Sequence, residues 1–144
     1  MLTVAPLHQT QSLFPDPTPV VRQLQAILSH GSVWQARGCD PQTGCDCWGL
    51  CWWAYQQVGI DLPCDPWQAE QHFVSVVRPW QSWDIVYTQG LLASSPRHLG
   101  LLLSPPFGYH ISRDSNGLAR FNALHPLWQR CIRRTWRYRG WACA

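Results

Sequence analysis

The stretch Gly44-Cys45-Asp46-Cys47-Trp48-Gly49-Leu50 predicts a helix that begins at a cysteine. Asp46 is a preferred N-cap residue, and Gly59 supplies the signal for the helix end. Between these limits, apolar side chains recur at helical spacing. They are Cys47, Leu50, Cys51, Ala54, Tyr55 and Val58. The pattern therefore predicts a helix with one apolar face and with Cys47 in its first turn.

Cys47 has two interpretations. Backbone N–H groups in a first turn are unpaired and the helix dipole is positive there, so both favour the reactive thiolate over the thiol. The same N–H groups can donate hydrogen bonds to a developing oxyanion. This makes Cys47 a candidate nucleophile. The alternative is a structural role, because cysteine is among the most buried residue types and Cys47 lies on the apolar stripe.

The segments around this helix are simpler to interpret. Residues 1–17 form an irregular lead-in, and residues 18–144 are predicted to be a single domain. Residues 31–45 have turn composition and are predicted to be a loop. Two further helices are indicated by a capping residue followed by proline. They run from Thr18 to about His30 and from Asp65 to about Val74.

After residue 80 the sequence pattern changes to short apolar segments separated by turn formers, which predicts strands. The predicted strands are Trp83–Tyr87, His98–Leu103, Tyr109–Ser112, Leu118–Phe121 and Ile132–Tyr138. A short turn of helix is predicted at Pro126–Arg130. Helices come first and a meander of strands follows, so the predicted class is α+β with an antiparallel sheet.

Two histidines complete the candidate site. His98 opens an apolar strand, and His110 follows twelve residues later, across a turn around Pro105. If the turn keeps an even pairing sum, both rings lie on one sheet face as diagonal neighbours. One ring can then meet the thiol, while the other holds it through a hydrogen bond to its second nitrogen. The alternative is a structural role, in which the two histidines lie at a sheet surface with their hydrogen-bonding groups satisfied.

Composition narrows the function classes. The chain has 144 residues with 46% apolar content, which suits one core. No apolar run approaches the ~18 residues of a membrane span, so no span is predicted. Residues 1–14 lack the basic start and apolar stretch of a signal peptide, which predicts synthesis in the cytoplasm. The ten tryptophans suggest an aromatic core or a groove for an extended ligand.

The basic residues have two interpretations, a nucleic-acid surface or a solvated strand face. The net charge is +3, all eleven basic residues are arginines, and five of them fall in the last fifteen residues. A basic tail with interleaved tryptophan is one pattern of nucleic-acid binding. We favour a solvated strand face, so nucleic acid is not a predicted partner. An arginine-rich surface also suits an anionic polymer.

Five segments in order resemble the NlpC family of cell-wall cysteine peptidases. They are Asp46–Leu50 (DCWGL), Gly59–Pro63 (GIDLP), Trp83–Val86 (WDIV), His98–Gly100 (HLG) and His110. The family pattern is Asp-Cys-Ser-Gly-Leu on a helix, Gly-Ile-x-Leu-Pro at its exit, a Gly-Asp-Leu-Val strand, and His-Val-Gly with a polar residue about twelve further on. The Gly44–Cys47 variant and residues 125–138 look most like the phage-type branch, whose members sit with tail genes. The resemblance covers roughly residues 20–140.

The resemblance implies a papain-like NlpC fold, with the nucleophile helix packed on the sheet that carries the histidines. It implies hydrolysis of an amide in the peptidoglycan stem peptide, typically the bond from D-Glu to the diamino acid, with no cofactor. By position, Cys47 attacks the carbonyl, His98 protonates the leaving amine and then activates water, and His110 orients His98. The implied partners are stem peptides and phage tail or injection-machine proteins, and delivery to the wall is by a tail-like particle, a secretion machine or lysis.

Three more residues are candidates for substrate or oxyanion contacts: Trp34, Asp46 and Trp48. The family commonly has a tyrosine some thirteen residues before the nucleophile, where Trp34 is the nearest match and offers only an indole N–H. The serine that follows the nucleophile in the family is Trp48 here. Asp46 precedes the nucleophile in the shared motif.

Other interpretations use the same residues. A zinc site in the cluster Cys39, Cys45, Cys47 and Cys51 fits ligand spacing poorly, so no metal is predicted. A structural or wall-binding tail component would keep the fold without the chemistry. A Cys-His acyltransferase or amidase toxin would keep the pair and change the acceptor. Seven cysteines exclude a complete disulfide framework, and Cys45 is a spectator, a redox partner of Cys47 or a staple with Cys39.

Overall fold

The computed structural model describes residues 14–31 and 33–142. Helix α1 spans Thr18–His30 and buries Val20, Leu24 and Ile27. The prediction that Thr18 caps this helix is wrong, because Thr18 is its first residue. Asp16 instead accepts hydrogen bonds from the N–H (3.0 Å) and the hydroxyl (2.8 Å) of Thr18. Residues 14–17 of the predicted lead-in have no helix or strand, and residues 1–13 lie outside the described residues.

A small hairpin interrupts the segment that was predicted as loop. Strands β1 (Cys39–Asp40) and β2 (Gly44–Cys45) pair antiparallel, with Cys39 opposite Cys45. The N–H of Gln35 donates to the Cys45 carbonyl at 3.0 Å, which ties the preceding chain to β2. Turn composition did not reveal these strands because each has only two residues. They fix the backbone directly before Cys47.

Helix α2 spans Cys47–Gln56 and begins at Cys47, as predicted. It ends before the predicted Gly59, and a turn carries the chain to that glycine, which has a φ of 81°. Glycine adopts this left-handed conformation without a steric penalty. The apolar face matches the prediction, because Leu50, Cys51, Ala54 and Tyr55 are all buried.

The third predicted helix is shorter than expected. Helix α3 spans Pro66–Ala69 and is capped by Asp65, whose Oδ1 accepts the N–H of Trp67 at 2.9 Å. A 3-10 turn follows at Glu70–His72. The predicted extension to Val74 is wrong, because Phe73–Val76 form strand β3 and pair with residues 135–138. Local capping signals could not reveal a pairing with a segment so distant in the chain.

Six strands form one antiparallel sheet with the order β3-β8-β4-β5-β6-β7. The five strands after β3 are β4 (Ile85–Gln89), β5 (Arg97–Ser104), β6 (Phe107–Ser112), β7 (Gly117–Asn122) and β8 (Ile132–Tyr138). Helices α4 (Pro126–Cys131) and α5 (Arg139–Ala142) flank β8. The prediction of an α+β fold with an antiparallel sheet is confirmed. Strand β4 starts later than predicted, because Trp83 has a φ of 79°, which bends the chain before the strand.

The two faces of the sheet pack against different partners. On one face, α1 and α2 cover a core that includes Ile85, Leu99, Leu101 and Ile111. On the other face, Trp128 of α4 packs with Val86, Leu102 and Phe121. Strand alternation explains this division, because neighbouring residues point to opposite faces. None of the helices in the described part of the chain is long and apolar enough to cross a membrane.

Candidate active site

The first backbone N–H groups of α2 face the Cys47 sulfur. Asp46 caps the helix: its Oδ1 accepts the N–H of Gly49 at 2.7 Å, and its carbonyl accepts the N–H of Leu50 at 3.0 Å. The N–H groups of Cys47 and Trp48 precede these and have no partner within the helix. Both lie against the Cys47 sulfur, where their hydrogen bonds lower the thiol pKa.

Burial nevertheless controls the charge of the Cys47 thiol. Burial and, to a lesser extent, the Asp46 carboxylate raise its pKa from 9.0 to about 11, although the backbone N–H groups of Leu99, Trp48 and Cys47 act in the opposite direction. The helix start acts as predicted, because the N–H groups of Trp48 and Cys47 lower the thiol pKa, but burial outweighs them. Partial dipole charges of about half a unit do not replace the hydration that an anionic sulfur loses on burial.

Strands β5 and β6 separate beside Cys47. Their pairing includes Leu101 with Tyr109 and continues toward the turn, whereas residues 97–100 of β5 have no β6 partner in the register. Leu99 lies in this open part, and its backbone N–H is hydrogen-bonded to the Cys47 sulfur. Helix α2 packs on both β5 and β6. Helix α2 therefore meets the sheet where the ladder opens.

His98 and His110 lie side by side on the sheet, as predicted. The register that pairs Leu101 with Tyr109 and Leu102 with Gly108 makes the two histidines diagonal neighbours on one face. His98 Nε2 and His110 Nδ1 are 2.8 Å apart, so one of these nitrogens donates a hydrogen bond to the other. When His98 Nε2 is the donor, His98 Nδ1 carries a free lone pair.

Aromatic rings enclose the two histidines from the α4 side. The Trp128 ring meets His110 edge-on at 5.1 Å between ring centroids, and Phe121 stacks on Trp128 at 3.9 Å. Only 4% of His98 and 8% of His110 is exposed. Burial, with a smaller effect of His110, lowers the pKa of His98 to about 3, and burial lowers the pKa of His110 to about 4. Both rings are therefore neutral at pH 7.

The thiol and the His98 ring have different packing partners. Cys47 packs with the α2 face, whereas the ring of His98 lies 6.2 Å from that of Trp128 on the α4 face. Among the described residues, no hydrogen bond joins the Cys47 sulfur to His98.

The Cys47 thiol and the His98 ring share a cleft of about 530 Å³. Strands β8, β4 and β5 form its floor, and the starts of α2 and α3 form its rim. Tyr87 and Trp136 stack on the floor with ring centroids 5.5 Å apart. Cys47 and His98 both line this cleft. A second cavity of about 490 Å³ adjoins it and shares Trp48 and Trp67 as lining residues.

A family model described as NlpC/P60 matches residues 31–137. The chain belongs to the NlpC/P60 family. This agrees with the resemblance of the five segments. A comparison with curated proteins found no significant match.

Solved structures of NlpC/P60 proteins share the fold. A lipoprotein-like member from Staphylococcus aureus has a TM-score of 0.64 and 24% identity over 87% of this chain, which spans 42% of that protein. NlpC2 from Trichomonas vaginalis has a TM-score of 0.61 and 18% identity, with 81% of this chain and 45% of that one covered. RipB from Mycobacterium tuberculosis, described as a peptidoglycan hydrolase, has a TM-score of 0.60 and 14% identity, with 89% and 69% covered. The chain thus spans less than half of the first two.

Two of the candidate residues of this NlpC/P60 domain have side chains engaged in other contacts. Trp34 is not among the residues that line the cleft, and Arg113 lies over its ring at 4.5 Å. Trp48 lines the cleft, but its indole N–H donates to the carbonyl of Cys64 at 2.8 Å. That bond leaves the backbone N–H of Trp48, rather than its side chain, as an oxyanion donor.

Asp46 and Asp84, which both lie in family motifs, have structural contacts. The second oxygen of Asp46 accepts the N–H of Arg37 at 2.9 Å, so both carboxylate oxygens are used. Asp84 is 1% exposed and binds Arg137 through both oxygens, at 2.9 and 2.8 Å. This buried ion pair joins the start of β4 to β8 and accounts for one arginine of the basic tail.

The described cysteines are free thiols. Cys45 faces Cys39 across the hairpin, and burial raises the pKa of Cys45 to about 12. Cys51 is fully buried one turn after Cys47, which fits its predicted core role. No group of three or more His, Cys, Asp or Glu side chains in the described part of the chain is arranged to hold a metal ion. Cys143 lies outside the described residues.

Four polar side chains on the cleft floor and rim were not predicted as site residues. Arg97, Arg134, Gln89 and Glu70 all line the cleft with Cys47. Strand alternation could have indicated Arg97, because it is two residues from Leu99 on the α2 face. The order of strands was the missing information: β8 lies beside β4, and this brings Arg134 into the site.

Proposed function

We propose that this chain is a cysteine peptidase that hydrolyses the stem peptide of peptidoglycan at the amide between D-Glu and the diamino acid. One observation carries the proposal: Cys47, at the unpaired start of α2, lines the same cleft as His98, whose far nitrogen is 2.8 Å from His110. Membership of the NlpC/P60 family supports it. RipB, a relative with the same fold, is described as a peptidoglycan hydrolase.

The protonation states favour a general-base mechanism over a preformed ion pair. The raised pKa of Cys47 and the lowered pKa of His98 keep both groups neutral. The thiol therefore passes its proton to His98 Nδ1 as sulfur bonds to the amide carbonyl. His98 Nε2 keeps its hydrogen and donates a hydrogen bond to His110 Nδ1. This hydrogen bond fixes the tautomer in which His98 Nδ1 can accept the proton. Cys47 and His98 line the same cleft, so a substrate bound there meets both the sulfur and His98 Nδ1.

The remaining steps use the same atoms. The carbonyl oxygen becomes an oxyanion and accepts hydrogen bonds from the backbone N–H groups of Cys47 and Trp48. The imidazolium of His98 then protonates the amine of the diamino acid as the carbon–nitrogen bond breaks, which leaves a thioester on Cys47. His98 takes a proton from water, the hydroxide attacks the thioester, and the carboxylic acid leaves as the thiol is restored.

The decisive experiment compares fragment release from peptidoglycan by the reduced protein and by its Cys47→Ala variant, with masses read by mass spectrometry. We expect stem-peptide fragments with a new amine and a new carboxylate from the parent protein, and none from Cys47→Ala or His98→Ala. Cys64→Ala is the matched control, because Cys64 is an exposed free thiol that does not line the cleft. Undiminished release by Cys47→Ala would contradict the assignment of the nucleophile.

One observation favours a second candidate, a wall-binding component without catalytic activity. The neutral thiol and the missing bond to His98 are also what an inactive relative would show. This candidate predicts peptidoglycan binding that survives Cys47→Ala, with no fragments from either protein. An acyltransferase would consume the peptide without releasing a free carboxylate. Assembly with a phage tail or injection machine, and delivery to the wall by that route, remain predictions from the sequence resemblance.

A further inference from the structure

Two arginines in the cleft lack an acidic partner. Arg97 directly precedes His98, and both Arg97 and Arg134 line the cleft that contains Cys47. Within residues 14–31 and 33–142, the one ion pair joins Arg137 to Asp84, so neither cleft arginine is neutralised. The guanidinium carbon of Arg97 lies 5.3 Å above the centre of the Trp67 ring, which restrains it at the rim.

The strand register sets the spacing of these arginines. Gln89 pairs with Arg97 and Tyr87 pairs with Arg134, so β4 lies between them. With strands ~4.8 Å apart and ~3.4 Å per residue, the two Cα atoms are about 12 Å apart. Two extended arginine side chains span that distance. Both guanidinium groups can therefore reach one short segment of a bound peptide.

The cleft also contains two acidic side chains, Asp46 and Glu70, and both lie on its helical rim. Both oxygens of Asp46 are occupied by backbone N–H groups. Glu70 lies on the 3-10 turn that continues α3. His98 and His110 are neutral because burial lowers the pKa of each. The two arginines are thus the charged side chains of the floor strands β5 and β8, and the two carboxylates lie on the rim.

We propose that Arg97 and Arg134 select peptides with a free carboxylate beside the scissile amide over peptides in which that carboxylate is amidated. The inference rests on the proposed function and deepens it. Glutamate has two carboxyl groups, so the one that is not in the scissile amide stays free unless it is amidated. A guanidinium group binds a carboxylate through two parallel hydrogen bonds. A carboxamide has no charge, and its NH2 group would place N–H donors against the N–H donors of the guanidinium group.

The test measures binding to the Cys47→Ala protein, so that cleavage does not interfere. The probes are two synthetic peptides of N-acetyl-D-Glu joined to diaminopimelate, one with the free Glu carboxylate and one with the carboxamide. Calorimetry should give a dissociation constant at least about tenfold lower for the acid, because a charged hydrogen-bonded pair is lost in the amide. Raising the salt concentration should weaken the binding of the acid peptide more than the binding of the amide peptide.

Arginine variants in the Cys47→Ala background test whether Arg97 and Arg134 cause the preference for the acid peptide. Arg97→Gln and Arg134→Gln should each lower the ratio of the two affinities severalfold, and the double variant should abolish it. Arg97→Lys should keep part of the ratio, since the charge remains without the planar fork, and it shows that lost folding is not the cause. Arg133→Gln is the matched control, because its side chain binds the Arg130 carbonyl at 2.7 Å and does not line the cleft.

Two results overturn the inference: equal affinity for acid and amide, or a preference that survives the double variant. Turnover of the acid peptide by the protein with Cys47 intact is measured separately. Failure of turnover alone would count against the proposed hydrolysis, whereas the affinity ratio reports on the arginines whether or not the peptide is cleaved. The two failures are therefore distinguishable.

Discussion

Alkylation of Cys47 should be slow at neutral pH and should accelerate up to strongly alkaline pH. Burial raises the thiol pKa from 9.0 to about 11, and thiolate is the form that reacts. At pH 7 the thiolate fraction is then roughly one in ten thousand, against roughly one in a hundred for an ordinary thiol. Each thiolate is more nucleophilic at the higher pKa, which regains roughly eightfold. The net expectation is a rate about tenfold below that of the same cysteine in the unfolded chain.

The assay treats reduced protein with iodoacetamide between pH 6 and pH 10, and mass spectrometry of the Cys47 peptide gives the rate. The same peptide in urea-denatured protein is the reference. The logarithm of the rate should rise by one for each pH unit, with no plateau in this range, because the midpoint lies near 11. His98→Ala should leave the profile unchanged, since burial already keeps the pKa of His98 near 3.

A plateau below pH 8 that disappears in His98→Ala would refute this reasoning. It would mean that thiolate and imidazolium form a stable pair in the unliganded protein. Burial would then not be the dominant influence on either group, and the general-base mechanism would give way to attack by a preformed thiolate.

Two further predictions concern the packing around the histidines. Gly100→Ala should lower the free energy of unfolding by about 1–3 kcal/mol in urea denaturation. The reason is that a Cβ there would lie 2.6 Å from Cζ of Phe121 and 3.2 Å from Cζ3 of Trp128. Unchanged stability would contradict the close packing of this face. Acid should also destabilise the fold, because the pKa values of His98 and His110 are lowered from 6.5 to about 3 and about 4, so the unfolded chain binds protons first. Stability should be full above pH 6.5 and should fall as the pH drops toward 3, with roughly 4 kcal/mol lost by pH 5 from the two groups together. The double variant His98→Gln, His110→Gln should lose much less between pH 7 and pH 5, and an identical pH dependence would contradict the assignment.

Signals that act over a few residues were readable from the sequence. An aspartate before Cys47 and apolar spacing after it predicted where α2 begins and which face it buries. The even spacing of His98 and His110 predicted one sheet face, because side chains alternate along a strand. The same locality explains the error at Val74: a cap and proline predicted the start of α3, but pairing with residues 135–138 set its end.

Charge and contact in the site depended on tertiary packing. The sequence places Cys47 at a positive helix end, yet burial outweighs the dipole and raises the thiol pKa to about 11. The sequence likewise does not show that the indole N–H of Trp48 donates a hydrogen bond to the carbonyl of Cys64. Nor does it show that Arg134 and Arg97 line one cleft. Order along the chain was therefore enough to identify the nucleophile helix and the two histidines as candidates. Hydration, the order of the strands and the cleft between α2 and α3 were decided only by folding, because each depends on segments that are distant in the chain.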